Sequence, residues 1–182
     1  GAFGLYFDSQ DAGKTWQRVT VLSEDFDRHI SQIIVVGNSL LLVAESGTLA
    51  RSDDAGATWT ALTSPYQGSY FGALAVKDGG VLAFGMRGNV FRSLDVGTTW
   101  QKIETGTTTS FMSGLQLADG RVMLVGNAGL IAESADGGQS FVLHTAKPGK
   151  GFAALMEKPG GGILLAGESG ITPLDPAWLK SR

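Results

Sequence analysis

The chain has 182 residues, of which 43% are hydrophobic and 17% are charged, with a formal net charge of −3 and no cysteine. The lack of cysteine excludes disulfides, thiolate metal sites and a cysteine nucleophile. Lys and Arg form no basic stripe of the kind that nucleic-acid binding leaves, and no long apolar run indicates a membrane span. We therefore expect neither a nucleic-acid partner nor a membrane-spanning segment.

An eight-residue phrase, Ser-x-Asp-x-Gly-x-Thr-Trp, recurs about every 41 residues. Complete copies begin at Ser9, Ser52 and Ser93, and a weaker copy begins at Ser134 and ends with Phe141 in place of tryptophan. A fixed period of this length is typical of repeat architectures, in which a single unit cannot bury its apolar face alone. The repeat therefore predicts stacked units that form one body.

The chain begins with residues 1–22, which contain the last two strands of a four-stranded unit. Whole units follow at residues 29–63, 70–104 and 111–145, and residues 151–175 contain the first two strands of another. Short turns separate the apolar runs of each unit, without helical periodicity, and we name the four strand positions a, b, c and d. Such units are typical of propeller blades, so the sequence predicts an all-β propeller of four-stranded antiparallel blades, about four per chain.

The repeated phrase lies on the turn between strands c and d, where we expect it to hold the turn. Its aspartate can accept hydrogen bonds from backbone N–H groups, its glycine can adopt a positive φ, and its tryptophan can pack between blades. The residues assigned to this structural role are Ser9, Asp11, Gly13, Trp16, Ser52, Asp54, Gly56, Trp59, Ser93, Asp95, Gly97, Trp100, Ser134, Asp136, Gly138 and Phe141. The pair Asp53-Asp54 lacks the spread of oxygen ligands that calcium requires, and we predict no metal site and no cofactor.

The two end segments are complementary half-blades, because the first supplies strands c and d and the last supplies strands a and b. Pairing them makes a composite closing blade and covers two sheet edges at once. Three arrangements stay open: a four-blade ring in one chain, a homodimer whose chains exchange end strands in an eight-blade ring, and half of a larger propeller.

The phrase is identified as the Asp-box, or BNR repeat, which resembles repeats of sialidases, xyloglucan-active glycosidases, sortilin-type receptors and photosystem II stability/assembly factors. The longer unit that begins Gly85-Met-Arg-Gly88 and runs to Ser93 is most similar to the assembly-factor family. This resemblance implies a propeller larger than four blades that acts as a non-catalytic scaffold for a protein partner. It also implies export, to the periplasm or out of the cell.

Candidate catalytic groups are few, and we predict that the protein is not an enzyme. A sialidase requires converging arginines and a tyrosine nucleophile, but Arg51 and Arg92 stand next to their box serines, on the outer half of the blade. Glu45 and Glu168 occupy equivalent turns between strands b and c. A glycan-binding or glycoside-hydrolysing propeller that uses these two carboxylates is therefore the alternative function.

Recognition is expected on one face of the propeller, which carries the b–c turns and the d–a loops. We call it the loop face. The d–a loops are the longest and most varied parts of the repeat, and variable loops on a rigid scaffold are the usual place for binding. The candidate binding residues are Phe26, Glu45, Tyr66, Tyr70, Arg87, Asn127 and Glu168. We expect a protein partner, with a glycan as the alternative.

Overall fold

The computed structural model describes residues 1–146 and 149–179, and every strand pair in these residues is antiparallel. Their helical segments are single 3-10 turns at Ala2–Gly4, Met86–Gly88, Asn127–Gly129 and Pro176–Leu179. No helix in this part of the chain is long and apolar enough to cross a membrane.

The strands form a half-blade, three whole blades and a three-stranded last sheet. The half-blade contains β1 (Phe7–Asp8) and β2 (Gln17–Arg18). The first blade contains β3 (Ile30–Val36), β4 (Ser39–Ala44), β5 (Leu49–Ser52) and β6 (Thr60–Ala61). The second contains β7 (Tyr70–Ala75), β8 (Val81–Gly85), β9 (Val90–Ser93) and β10 (Gln101–Ile103). The third contains β11 (Phe111–Gln116), β12 (Val122–Gly126), β13 (Leu130–Ser134) and β14 (Val142–Thr145). The last sheet contains β15 (Phe152–Glu157), β16 (Ile163–Gly167) and β17 (Gly170–Pro173).

Successive sheets pack face to face, and we call the side that meets the following blade the forward face. In the second blade Leu82, Phe84 and Val90 lie on this face and share one buried cluster with Phe111 and Leu124 of the third. Burial of each such side chain contributes about 1.5–3 kcal/mol to folding, so the blade boundaries are the main source of stability. The all-β propeller architecture expected from the sequence is confirmed.

The two terminal sheets do not combine into one blade within the chain. Among the described residues, β1 pairs only with β2, and β16 pairs with β15 on one side and β17 on the other. β17 therefore occupies the position next to β16 that the composite blade assigns to β1. The chain forms an open arc of blades, and closure by a larger ring stays a prediction.

Candidate functional site

The Asp-box turns are held by a repeated set of hydrogen bonds. In the second copy, the Ser52 hydroxyl donates to the Asp54 carboxylate at 2.7 Å and accepts the backbone N–H of Gly56 at 2.8 Å. Asp54 also accepts the backbone N–H of Thr58 at 2.9 Å and its hydroxyl at 2.6 Å. The hydroxyl of Ser52 and the carboxylate of Asp54 are thus both engaged in hydrogen bonds inside the turn.

These hydrogen bonds lower the pKa of the box aspartates. The hydroxyl and backbone N–H of Thr58 hold the pKa of Asp54 at about 2, and the Thr15 backbone N–H and hydroxyl do the same for Asp11. Burial by itself would raise the pKa of Asp136, but hydrogen bonds led by the Ser140 hydroxyl bring it to about 2. These carboxylates are ionised at neutral pH, so they are poorly suited to donate a proton.

The box tryptophans do not all pack between blades. Trp59 is buried against the half-blade, where its ring meets Tyr6 edge-on with centroids 5.8 Å apart, and Trp100 packs on the first blade. Trp16 is 62% exposed. No blade among the described residues lies on that side of the half-blade, so the packing expected for Trp16 stays a prediction.

Four of the five b–c turns on the loop face share one backbone conformation. Their middle residue is not glycine but adopts a left-handed φ of 54–58°, as seen at Phe3, Ser46, Arg87 and Ala128; Ser169 in the fifth turn does not. All four side chains are exposed. In the sequence, only the glycine that follows each of these residues indicates this conformation.

That following glycine fixes each turn against a neighbouring d–a loop. A Cβ on Gly47, with φ +72°, would meet the backbone carbonyl of Tyr66, and a Cβ on Gly88 would meet that of Thr107. The backbone N–H of Gly47 also donates to the carbonyl of Gly68 at 2.9 Å. The turns and loops therefore form one continuous surface with a rigid backbone.

Glu45 and Glu168 both hold the beginning of strand a in their own sheet. One Glu45 carboxylate oxygen accepts the backbone N–H of His29 at 2.8 Å, and Glu168 accepts that of Gly151 at 3.1 Å. The two glutamates lie in different sheets, with two whole blades between them along the chain. Each carboxylate thus has a structural partner, and the arrangement does not pair the two as catalytic groups.

Tyr70 and Tyr66 differ in their accessibility although they are close in sequence. Tyr70 is 1% exposed, with its hydroxyl 2.9 Å from that of Ser64, and burial raises its pKa to about 12. It is a core residue and cannot contact a partner on the surface, so its assignment to the binding face is corrected. Tyr66 is half-buried, and its hydroxyl donates to the carbonyl of Met86 at 3.3 Å.

The structure brings Tyr66 and Arg87 to the same turn. Met86 accepts the Tyr66 hydroxyl, and the next residue, Arg87, has its backbone N–H bonded to the Ser110 hydroxyl at 3.1 Å. The Arg87 side chain is exposed, and no carboxylate among the described residues pairs with its guanidinium. A groove of about 370 Å³ begins beside it and is lined by Arg87, Gly88, Asn89, Lys102, Ile103, Glu104, Thr105, Gly106, Thr107 and Thr108.

The remaining candidates lie at other positions along the loop face. Asn127 is exposed, its backbone N–H donates to the Ser110 carbonyl at 3.1 Å, and it lies close to Gly151, which Glu168 contacts. Phe26 is half-buried and packs in the cluster between the half-blade and the first blade. Asn127 and Glu168 are thus neighbours, and Asn127 and Arg87 both bond to Ser110. Glu45 lies in the b–c turn whose Gly47 contacts the backbone of Tyr66.

The arginines that directly precede two of the box serines form hydrogen bonds with the next blade. Arg51 donates to the Thr98 hydroxyl, and Arg92 donates to the carbonyl of Gly137, each in the box turn of the following blade.

No group of three or more His, Cys, Asp or Glu side chains suited to a metal ion occurs in residues 1–146 and 149–179. The loop face is accordingly the strongest candidate for a functional surface.

The four-stranded blades and box turns define the class of the protein, an Asp-box β-propeller. Within this class, the family model described as photosynthesis system II assembly factor YCF48 matches residues 1–113, and the chain belongs to that family. No curated protein sequence matches it.

Several solved propellers have the same fold. A structure titled YCF48 bound to D1 peptide has 19% identity and a TM-score of 0.76, over 97% of this chain and 58% of its own. YCF48 from Cyanidioschyzon merolae has 16% identity and a TM-score of 0.71, over 95% and 60%. Virginiamycin B lyase from Staphylococcus aureus has 12% identity and a TM-score of 0.76, over 94% and 63%. At these identities the likeness concerns the fold alone, and the chain spans less than two thirds of each structure.

Proposed function

We propose that the protein is a non-catalytic scaffold that binds a protein partner through its loop face. Membership of the assembly-factor family supports this role, and a similar YCF48 structure is described as bound to a D1 peptide. Variable loops on a rigid frame are suited to such recognition. The partner of this chain is accordingly an extended polypeptide segment of another protein.

The observation that carries the proposal is the placement of Arg87. Its backbone is fixed by the left-handed turn and by Ser110, while its guanidinium is exposed beside the groove along Lys102–Thr108. Arginine on a rigid backbone loses little conformational freedom on binding and forms bidentate contacts with carboxylates. The groove contributes hydroxyl groups and backbone groups, which suit the main chain of an extended peptide.

Binding of a fluorescein-labelled D1 peptide, followed by fluorescence anisotropy, tests this proposal. We expect Arg87→Ala to weaken binding about tenfold, which corresponds to the loss of about 1.4 kcal/mol. Arg18→Ala is the matched control, because Arg18 is an exposed arginine on β2, outside the groove. Equal affinity of the wild type and Arg87→Ala would contradict the assignment of this surface. Absence of binding to both the D1 peptide and a random peptide array would contradict peptide recognition altogether.

We also propose that the protein acts in the periplasm or outside the cell. The basis is its similarity to the assembly-factor family, whose bacterial relatives are usually exported. Fractionation of the source cells with an antibody against the protein tests this. Recovery with a cytoplasmic marker enzyme would contradict it.

Glycan binding or hydrolysis is the alternative function, but no contact among residues 1–146 and 149–179 favours it. The two glutamates that suggested it hold backbone N–H groups of separate sheets. A panel of chromogenic glycosides distinguishes the two functions. Turnover that disappears in Glu168→Gln would support the alternative against the scaffold.

A further inference from the structure

A pocket of about 320 Å³ lies at the boundary between the third blade and the last sheet, apart from the groove beside Arg87. It is formed by the d–a loop that joins them, by strands a and c of the last sheet and by the 3-10 turn Pro176–Leu179. Its volume is within the range of about 300–1,000 Å³ that ligand pockets occupy. The walls include Ala146, Lys150, Phe152, Ser169, Thr172 and Trp178.

The same position at the boundary between the first and second blades is filled by the ring of Tyr66. The centroid of this ring lies 5.9 Å from that of Tyr70 in strand a and 5.7 Å from that of Phe91 in strand c. A Cβ on Gly68, two residues before strand a, would meet the ring and hydroxyl of Tyr66. Three positions of the repeat therefore surround the tyrosine ring.

Two of these positions in the last sheet belong to Phe152 and Thr172. Phe152 begins β15 as Tyr70 begins β7, and each pairs with the glycine that ends strand b. Thr172 and Phe91 each stand opposite the residue two places before that glycine. Because threonine replaces phenylalanine here, one ring is missing from the wall, and the pocket gains the room that this ring takes in the second blade.

The d–a loop before the last sheet has no ring of its own to place in the pocket. Tyr66 stands four residues before its strand a, and the residue with this spacing from Phe152 is Pro148, which lies outside the described residues. None of the residues from 145 to 151 is aromatic. A ring that takes the place of Tyr66 at this boundary therefore comes from outside this loop.

We propose that the pocket binds the side chain of a tyrosine in the partner segment. This inference rests on the proposed function, because the d–a loop and Ser169 place the pocket on the loop face that carries Arg87. Phe152 and Trp178 supply aromatic surfaces, which favour edge-on and offset contacts with a third ring. The ligand is thus recognised by the same kind of contact that Tyr66 makes within the chain.

Lys150 distinguishes this pocket from the place that Tyr66 fills. It is exposed and stands two residues before strand a, as Gly68 does in the second blade. Since Lys150 has a Cβ where Gly68 has none, the ring of the ligand lies nearer to Thr172, on the side with more room. The ammonium group of Lys150 can donate a hydrogen bond to a phenolic oxygen. This favours tyrosine over phenylalanine as the bound side chain.

Titration of the nitrogen-15-labelled protein with N-acetyl-L-tyrosinamide tests the pocket by itself. We expect NMR shifts of the Lys150 and Ser169 amides and of the Trp178 indole, with a dissociation constant on the order of a millimolar. N-acetyl-L-leucinamide is the matched control ligand, and it should bind about tenfold more weakly because it has no ring. Absence of shifts with the tyrosine compound would overturn the proposal, as would equal binding of the two compounds.

A substitution at the pocket tests its location. Lys150→Trp places an indole of the chain's own at the pocket and should remove the shifts, while its circular dichroism stays unchanged because Lys150 is exposed. Lys158→Trp is the matched control, an exposed lysine between β15 and β16, and it should bind the tyrosine compound like the wild type. Binding that survives Lys150→Trp would show that the compound binds elsewhere and would overturn the assignment.

The random peptide array connects the pocket to the partner. Peptides retained by the wild type should be enriched in tyrosine, and this enrichment should be lost in Lys150→Trp but kept in Arg87→Ala. Equal tyrosine content of the peptides retained by the wild type and by Lys150→Trp would overturn the role of the pocket in recognition. Failure of the array to retain any peptide would contradict the proposed function, whereas the titration with N-acetyl-L-tyrosinamide decides separately whether the pocket accepts the ring.

Discussion

The guanidinium of Arg92 in the second blade donates to the backbone carbonyl of Gly137 in the third blade at 3.0 Å. The same side chain is 9% exposed and forms an ion pair with Asp78. Arg51 reaches Thr98 across the preceding boundary. The arginine that precedes a box serine therefore joins its own blade to the box turn of the next.

Replacement of Arg92 by alanine should destabilise the protein by about 2 kcal/mol, because it removes a buried charged donor and leaves two acceptors without it. Urea unfolding monitored by tryptophan fluorescence measures the change. Arg18→Ala, at an exposed position on β2, should stay within about 0.5 kcal/mol of the wild type. Equal effects of the two substitutions would contradict the joining role.

Acid should destabilise the fold through the box aspartates. The pKa of Asp11, Asp54 and Asp136 is about 2 in the folded protein, below the value of an unfolded aspartate. A lowered folded pKa contributes stability that is present above about pH 4 and is lost as the pH falls toward 2. The free energy of unfolding, measured in urea at pH 5, 3 and 2, should therefore decrease steeply over this window. Asp136→Asn should make that decrease shallower, and an unchanged slope would contradict the assignment.

The b–c turns should be intolerant of a side chain at their final glycine. Gly47→Ala adds a Cβ that meets the Tyr66 carbonyl, whereas Gly79, with φ +86°, has no atom within 4 Å of such a Cβ. Both substitutions carry the cost of a left-handed backbone, about 1 kcal/mol. The loss of unfolding free energy, measured in urea, should be about 1 kcal/mol larger for Gly47→Ala than for Gly79→Ala. Equal losses of unfolding free energy would contradict the close approach of Gly47 to the Tyr66 carbonyl.

Tyr70 should ionise only at strongly alkaline pH. Burial raises its pKa to about 12, so its hydroxyl stays protonated in the folded protein well above pH 10. A raised folded pKa contributes stability that is present below about pH 10 and is lost as the pH rises toward 12. Absorbance at 295 nm during alkaline titration should show a late transition that is absent in Tyr70→Phe. Loss of the Ser64 contact in that variant should cost about 1 kcal/mol at neutral pH.

The sequence predicts the blades well because their signature is local. The turn residues of each Asp-box, such as Ser52, Asp54 and Thr58, bond to one another within seven residues of chain, so their pattern alone indicates their structure. The exposure of Trp16 could not be predicted in this way, because burial of a box tryptophan depends on the preceding blade.

The candidate site is less accessible to prediction, since it depends on contacts between units. Tyr66 and Tyr70 are four residues apart, and both rings contact Phe91, with centroids 5.7 and 6.1 Å away. Tyr70 begins strand β7 and is 1% exposed, whereas Tyr66 lies in the preceding loop and is half-buried. The link from the Tyr66 hydroxyl to Met86 spans two blades. Such contacts depend on how neighbouring blades pack against each other, which the sequence of one repeat does not specify.

The side chain of the left-handed middle residue in these b–c turns can change without a loss of stability. Phe3, Ser46, Arg87 and Ala128 share one backbone conformation but differ in size, charge and polarity. Because the frame is held by the glycine that follows and by backbone contacts, one substitution at any of these positions alters the chemistry of the surface without repacking a blade. Successive mutations there could thus change the preferred partner while the melting temperature stays constant, a route by which one ring can acquire new specificities.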